Sequence, residues 1–110
     1  MKTYVFDLDG TLCTLTKDGN YNNSKPKLAR IDKVNKLFNT GNKIIICTAR
    51  GMGRHNNDHR RAYDEFYNFT IEQLSLWGIK YHELYLGKPS GDIYIDDKGI
   101  SDEDFFNTRN

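Results

Sequence analysis

The sequence predicts an α/β fold in a single domain, a parallel sheet flanked by helices. Three observations predict it. Strand-like and helix-like segments alternate along the chain, the order expected of a parallel sheet with helical crossovers. The length of 110 residues suits one domain. Apolar residues at 37% and charged residues at 28% are the balance of an ordinary globular chain with one core.

Tyr4-Val5-Phe6 is a short run of strand formers, so a first strand is expected over 3–7. The polar stretch 13–25 holds Asp18-Gly19, a hairpin-turn signal, and reads as a small flap. Ser24 offers an N-cap and Pro26 a first-turn proline. Leu28, Ile31, Val34 and Phe38 then recur at helical spacing up to Gly41, which predicts a helix over 26–39. Lys43 to Cys47 is an unbroken apolar run, expected to be a strand buried on both faces. After a loop over 50–59, Tyr63, Tyr67, Thr70, Leu74 and Trp77 mark one face of a helix over 60–77, closed by Gly78. Tyr81–Leu86 reads as a third strand and Ile93-Tyr94-Ile95 as a fourth. Ser101 with Asp104 resembles a capping box on a last helical turn.

A net charge of +1 provides no global field for nucleic acid or membrane. Cys13 and Cys47 form no metal-type pair and are expected as free thiols of a reducing compartment. The N-terminal segment lacks the apolar stretch of a signal peptide, and no run reaches the ~18–20 apolar residues of a membrane span. A cytoplasmic protein without a membrane partner is expected.

The chemistry gathers at strand ends. Asp7 and Asp9, Thr48, and Asp96 with Asp97 each follow an apolar strand directly. In open α/β sheets, ligands bind outside the carboxyl ends of the strands. Carboxylates brought together there repel one another unless a hard cation such as magnesium sits among them. Asp7-Leu8-Asp9-Gly10-Thr11 sets two carboxylates two residues apart, with Gly10 permitting a sharp turn. An aspartate nucleophile forms an acyl-phosphate. A second aspartate can protonate the leaving oxygen and later deprotonate water.

The string Asp7-Leu8-Asp9-Gly10-Thr11-Leu12 resembles the first motif of the haloacid dehalogenase (HAD) superfamily of phosphotransferases. Ile44-Ile45-Ile46-Cys47-Thr48-Ala49-Arg50 is similar to the second motif, Lys88 in Gly87-Lys88-Pro89 to the third, and Ile93-Tyr94-Ile95-Asp96-Asp97 to the fourth. The resemblance covers residues 3 to about 100 and implies a Rossmann-like domain acting as a magnesium-dependent phosphatase, a hydrolase of phosphoric monoesters. It implies Asp7 as nucleophile and metal ligand, and Asp9 as general acid/base whose main-chain carbonyl also meets the metal. Gly10, Thr48, Ala49, Arg50 and Lys88 would bind the phosphate. Asp96 would complete the metal shell, with Asp97 a ligand or a supporting group.

The gaps between motifs fit no large cap domain, so the site is expected to be open, admitting a large substrate or gaining walls from a homo-oligomer partner. The Thr48-Ala49-Arg50 and Ile95-Asp96-Asp97 strings resemble bacterial capsule-polysaccharide biosynthesis phosphatases, which implies a sugar phosphate or other phosphorylated small molecule as substrate. A polynucleotide or nucleotide phosphatase is the alternative, and a non-catalytic phosphate-binding module the alternative of another class. The segment 50–61 carries Arg50, Arg54, Arg60 and Arg61; it reads either as an anion-recognition loop or as a solvated one. His55 and His59 have zinc-like spacing but no third ligand nearby.

Overall fold

A computed structural model of the chain describes residues 1–17 and 19–107. Asp18, half of the expected hairpin-turn pair, lies outside them. The strands are β1 (Thr3–Phe6), β2 (Lys43–Thr48) and β3 (Glu83–Leu86); the helices are α1 (Leu28–Asn39), α2 (His59–Leu76) and α3 (Asp102–Phe106). The three strands form one parallel sheet in the order β1-β2-β3. The α/β class and the single small domain follow the alternation in sequence.

The register decides the two faces. Phe6 pairs with Ile46 and Ile46 with Leu84; Val5 pairs with Ile45 and Ile45 with Glu83. Successive strand residues point to opposite faces. Tyr4, Phe6, Ile44, Ile46 and Leu84 join one apolar cluster with Ile31 and Val34 of α1, Leu74 of α2, and Phe105 and Phe106 of α3. On the opposite face Val5 is 63% exposed and Tyr85 51%. The expectation that β2 is buried on both faces is therefore corrected. Its burial alternates strictly, with only Ile44, Ile46 and Thr48 fully enclosed.

Three further expectations shift. The inward face of α2 is Ala62, Phe66, Thr70, Gln73 and Leu74. Tyr63 is half-exposed and stacks on Tyr67 along the helix flank at 4.3 Å. Helix α1 begins at Leu28 without a side-chain cap, because Pro26 is taken up in a bridge with Cys13. Segment 93–95 forms no strand, and every residue from 91 to 100 is exposed. A strand exists only through a paired neighbour, and this segment instead closes on itself. The Tyr94 hydroxyl donates to the Pro89 carbonyl at 2.6 Å and accepts from Gly91 N–H at 3.0 Å. At α3, Ser101 Oγ accepts from Asp104 N–H at 3.2 Å, as its sequence suggests. Among the described residues no helix is long and apolar enough to cross a membrane.

Candidate active site

The carboxyl ends of β1 and β2 and the turn after β3 meet at one edge of the sheet. The chain leaves β1 at Asp7 and turns at once. Leu8 is fully buried, and its carbonyl accepts from the N–H groups of Thr11, Leu12 and Cys13. Gly10 sits at φ +85°, a left-handed conformation open to glycine, and its carbonyl accepts from Lys27 Nζ at 3.2 Å. Asp7 is thereby left half-exposed at the lip, with Thr11 Oγ1 3.5 Å from Oδ2.

Lys88 reaches the same carboxylate from the other side. Its Nζ lies 3.7 Å from Asp7 Oδ1 and 4.4 Å from the centre of the Tyr94 ring. The backbone fixes this approach, because the N–H groups of Gly87 and Lys88 both donate to the Thr48 carbonyl at 3.2 Å. Burial pushes the Asp7 carboxyl above its ordinary range; the Lys88 charge opposes that rise and the Asp9 carboxylate adds to it. Asp7 and Lys88 thus form a carboxylate–ammonium pair, a nucleophile type beside a cation that can hold an anion.

Thr48 is fully buried, and its Oγ1 accepts from Arg50 N–H at 3.1 Å, which shapes the turn that follows β2. Ala49 accepts from Met52 N–H through its carbonyl in the same turn. Arg50, expected at the phosphate, is 1% exposed and turned inward. Its Nε donates to Asp9 Oδ2 at 2.9 Å and its Nη2 to Asp9 Oδ1 at 3.0 Å. Nη1 donates to Thr70 Oγ1, and the guanidinium lies 4.6 Å from the Tyr21 ring centre. This fork on Asp9 escaped the sequence reading, since nothing in the spacing of residues 9 and 50 signals it. Cys13 Sγ lies 3.3 Å from Asp9 Oδ1, and burial foremost pushes its thiol up to about 12. Cys13 and Cys47 are both free.

Asp96 and Asp97 do not join this group. Asp96 Oδ1 accepts from the N–H groups of Lys98 and Gly99, and Asp97 pairs with Lys98 Nζ at 3.2 Å, all on the exposed segment. Among the described residues no three His, Cys, Asp or Glu side chains come together as a metal set. The described residues around Asp7 therefore do not by themselves make up a full magnesium shell. His55 and His59 also form no pair. His55 Nε2 lies 2.6 Å from Glu65 Oε1, while Glu65 Oε2 accepts from Arg54 Nη1 at 2.9 Å.

Arg54 borders a cleft of about 370 Å³ walled by Asn20, Tyr21, Asn22, Phe66 and Phe69. Arg60 and Arg61 stand in the exposed first turn of α2, capped by Asp58. The sequence segment 50–61 thus divides into a buried arginine, a cleft arginine and two solvated ones.

The chain resembles a crystal structure of an MCSG target from Vibrio cholerae, at 28% identity and a TM-score of 0.89, covering 99% of this chain and 90% of that one. It shares a fold with part of the Pnkp1/Rnl/Hen1 complex, at 23% identity and a TM-score of 0.52 over 86% of this chain and 30% of that chain. No family model and no curated protein matches the chain.

Proposed function

We propose that the protein is a phosphomonoester hydrolase that works through an aspartyl-phosphate on Asp7. The observation that carries this reading is the approach of Lys88 Nζ to within 3.7 Å of Asp7 Oδ1 at the carboxyl edge of a parallel sheet. In the first step a carboxylate oxygen of Asp7 bonds to phosphorus and the ester P–O bond breaks. Asp9 gives its proton to the departing alkoxide. In the second step Asp9 takes a proton from water, the water oxygen bonds to phosphorus, and the acyl P–O bond breaks to release phosphate and free Asp7. Lys88 offsets the charge on the phosphoryl oxygens throughout. Arg50 orients Asp9 and must yield one of its hydrogen bonds when Asp9 carries a proton.

Magnesium would be the cofactor for this chemistry, held by Asp7 together with further donors that the described residues around it do not supply. A sugar phosphate or another phosphorylated small molecule is the proposed substrate class, and the cleft with asparagine and aromatic walls at Arg54 is the proposed seat of its non-phosphate part. Hydrolysis of an aryl phosphate, assayed with magnesium, tests the reading. Wild type should turn over and Asp7→Asn should not. An Asp7→Asn protein as active as wild type refutes the nucleophile. A panel of sugar phosphates, nucleotides and oligonucleotide 3′-phosphates then identifies the substrate class.

A further inference from the structure

The Lys88 ammonium stands between two groups, the Asp7 carboxylate at 3.7 Å and the Tyr94 ring centre at 4.4 Å. At 3.7 Å the carboxylate is beyond ordinary hydrogen-bond length and does not fix the ammonium by itself. A lysine head on its flexible four-carbon stem otherwise samples many rotamers. Tyr94 is the residue of its segment turned toward the protein, 55% exposed between Ile93 at 79% and Ile95 at 93%.

The ring is itself tethered. Its hydroxyl donates to the Pro89 carbonyl at 2.6 Å and accepts from Gly91 N–H at 3.0 Å, which ties it to the turn directly after Lys88. That turn is held at two further places. The N–H groups of Gly87 and Lys88 donate to the Thr48 carbonyl, and Ser90 N–H donates to Asn57 Oδ1 at 3.0 Å. Asn57 takes φ +62°, a left-handed backbone that strains a non-glycine residue, and strain of this kind gathers at functional sites. The turn that carries Lys88, the turn after β2 and the Tyr94 ring are thus linked beside Asp7.

We propose that Tyr94 is a positioning residue that aims the Lys88 ammonium at Asp7 and at the phosphoryl group to be transferred. The aromatic face attracts a cation through its quadrupole. It does so without cancelling the positive charge, and the three N–H donors of the ammonium stay available to Asp7 and to phosphoryl oxygens. A carboxylate in the place of the ring would compete for those donors and neutralise the charge that must offset the phosphoryl oxygens. An aliphatic side chain there would leave the lysine free among its rotamers. Tyr94 touches no reacting atom and acts through Lys88. Its effect on turnover rests on the phosphatase reading; its hold on Lys88 does not.

Proton NMR of the Lys88 ε-methylene, assigned by its loss in Lys88→Met, tests the hold. Protons over a ring face move upfield, so Lys88 should resonate upfield of an exposed lysine in wild type and in Tyr94→Phe. In Tyr94→Leu it should return to the exposed position. Lys33, whose Nζ lies 4.3 Å from the Phe105 ring centre, should keep its own shift in every variant and so reports an intact fold. With aryl phosphate, Tyr94→Leu should lower kcat/KM roughly two- to fivefold, the scale of a partly exposed cation–π contact, and Tyr94→Phe should lower it less. A wild-type Lys88 at the exposed position overturns the proposal, and so does a Tyr94→Leu enzyme with wild-type kcat/KM. Equal losses in the two variants, with the shift kept in Tyr94→Phe, assign the effect to the hydroxyl bonds and overturn the role of the ring. An inactive wild type counts against the phosphatase reading alone, and the Lys88 shift still decides whether Tyr94 holds the ammonium.

Discussion

Arg50 holds both carboxylate oxygens of Asp9, at 2.9 and 3.0 Å, from a position that is 1% exposed. The guanidinium links the turn after β1 to the turn after β2. Removing one partner of a buried, hydrogen-bonded ion pair leaves the other charge uncompensated, at a cost of about 3–5 kcal/mol. Lysine cannot reproduce the two-pronged contact. Arg50→Lys and Arg50→Met should both lower stability by ~3 kcal/mol or more in urea unfolding. A loss under ~0.5 kcal/mol in either would show that the pair contributes little beyond a surface ion pair.

Gly51 adjoins this pair and is fixed by space as well as by backbone. It sits at φ +78°, and a Cβ there would lie 2.7 Å from Phe66 Cδ2 and 3.1 Å from the Ala62 Cα. Left-handed strain and overpacking each cost about 1–3 kcal/mol. Gly51→Ala should therefore depress Tm by several degrees. Adding Phe66→Leu should recover the overpacking part but not the backbone part. A Gly51→Ala protein melting with wild type would refute both contributions.

These residues show what the sequence carried and what it did not. The alternation of elements and Gly10 were legible, because strand ends and turn glycines leave local signals, whereas Lys88 beside Asp7 was implied only by the motif resemblance. The inward turn of Arg50 was not, because a long side chain chooses between solvent and a buried partner through three-dimensional packing. The fourth strand failed for the opposite reason. Ile93-Tyr94-Ile95 has strand propensity, but propensity provides no partner, and Tyr94 instead bonds to Pro89 and Gly91. On α2, helical periodicity was right and Thr70 and Leu74 are buried as expected, but Ala62 and Phe66 face inward in place of Tyr63 and Tyr67, which stack on each other.

Asp7 should titrate abnormally. Burial raises its carboxyl and Lys88 opposes the rise. In the metal-free protein, carbon-13 NMR of the Asp7 carboxyl should show a midpoint above the ordinary 3.8, and Lys88→Met should move it higher still. The sign for stability follows by linkage. A raised folded value means that the folded state binds the proton more tightly, so stability falls as pH rises from 3.8 through that value. Asp7→Asn removes the buried charge. It should raise Tm at neutral pH and leave it unchanged below the ordinary carboxylate range. An Asp7 midpoint at or below 3.8 would contradict the argument.

The cleft beside Arg54 yields a prediction with two opposite signs. Arg54 donates to Glu65 and to the Gly19 carbonyl, and its guanidinium lies 4.9 Å from the Phe66 ring centre. His55 and then Arg54 hold the Glu65 carboxyl below its usual range. Glu65 is therefore an internal anion occupying Arg54, and an anionic substrate must compete with it. Arg54→Ala should raise KM for the physiological substrate roughly tenfold, the scale of a lost charge-assisted hydrogen bond. Glu65→Gln frees the arginine and should lower KM for the same substrate. A small aryl phosphate does not extend into the cleft, so both variants should leave its KM near wild type. Arg60→Ala serves as the control, since Arg60 is exposed on the first turn of α2. Added salt should weaken the natural substrate's binding in wild type and weaken it less in Arg54→Ala. If Arg54→Ala and Glu65→Gln shift KM in the same direction, Glu65 acts as a substrate ligand or a structural prop rather than as a competitor.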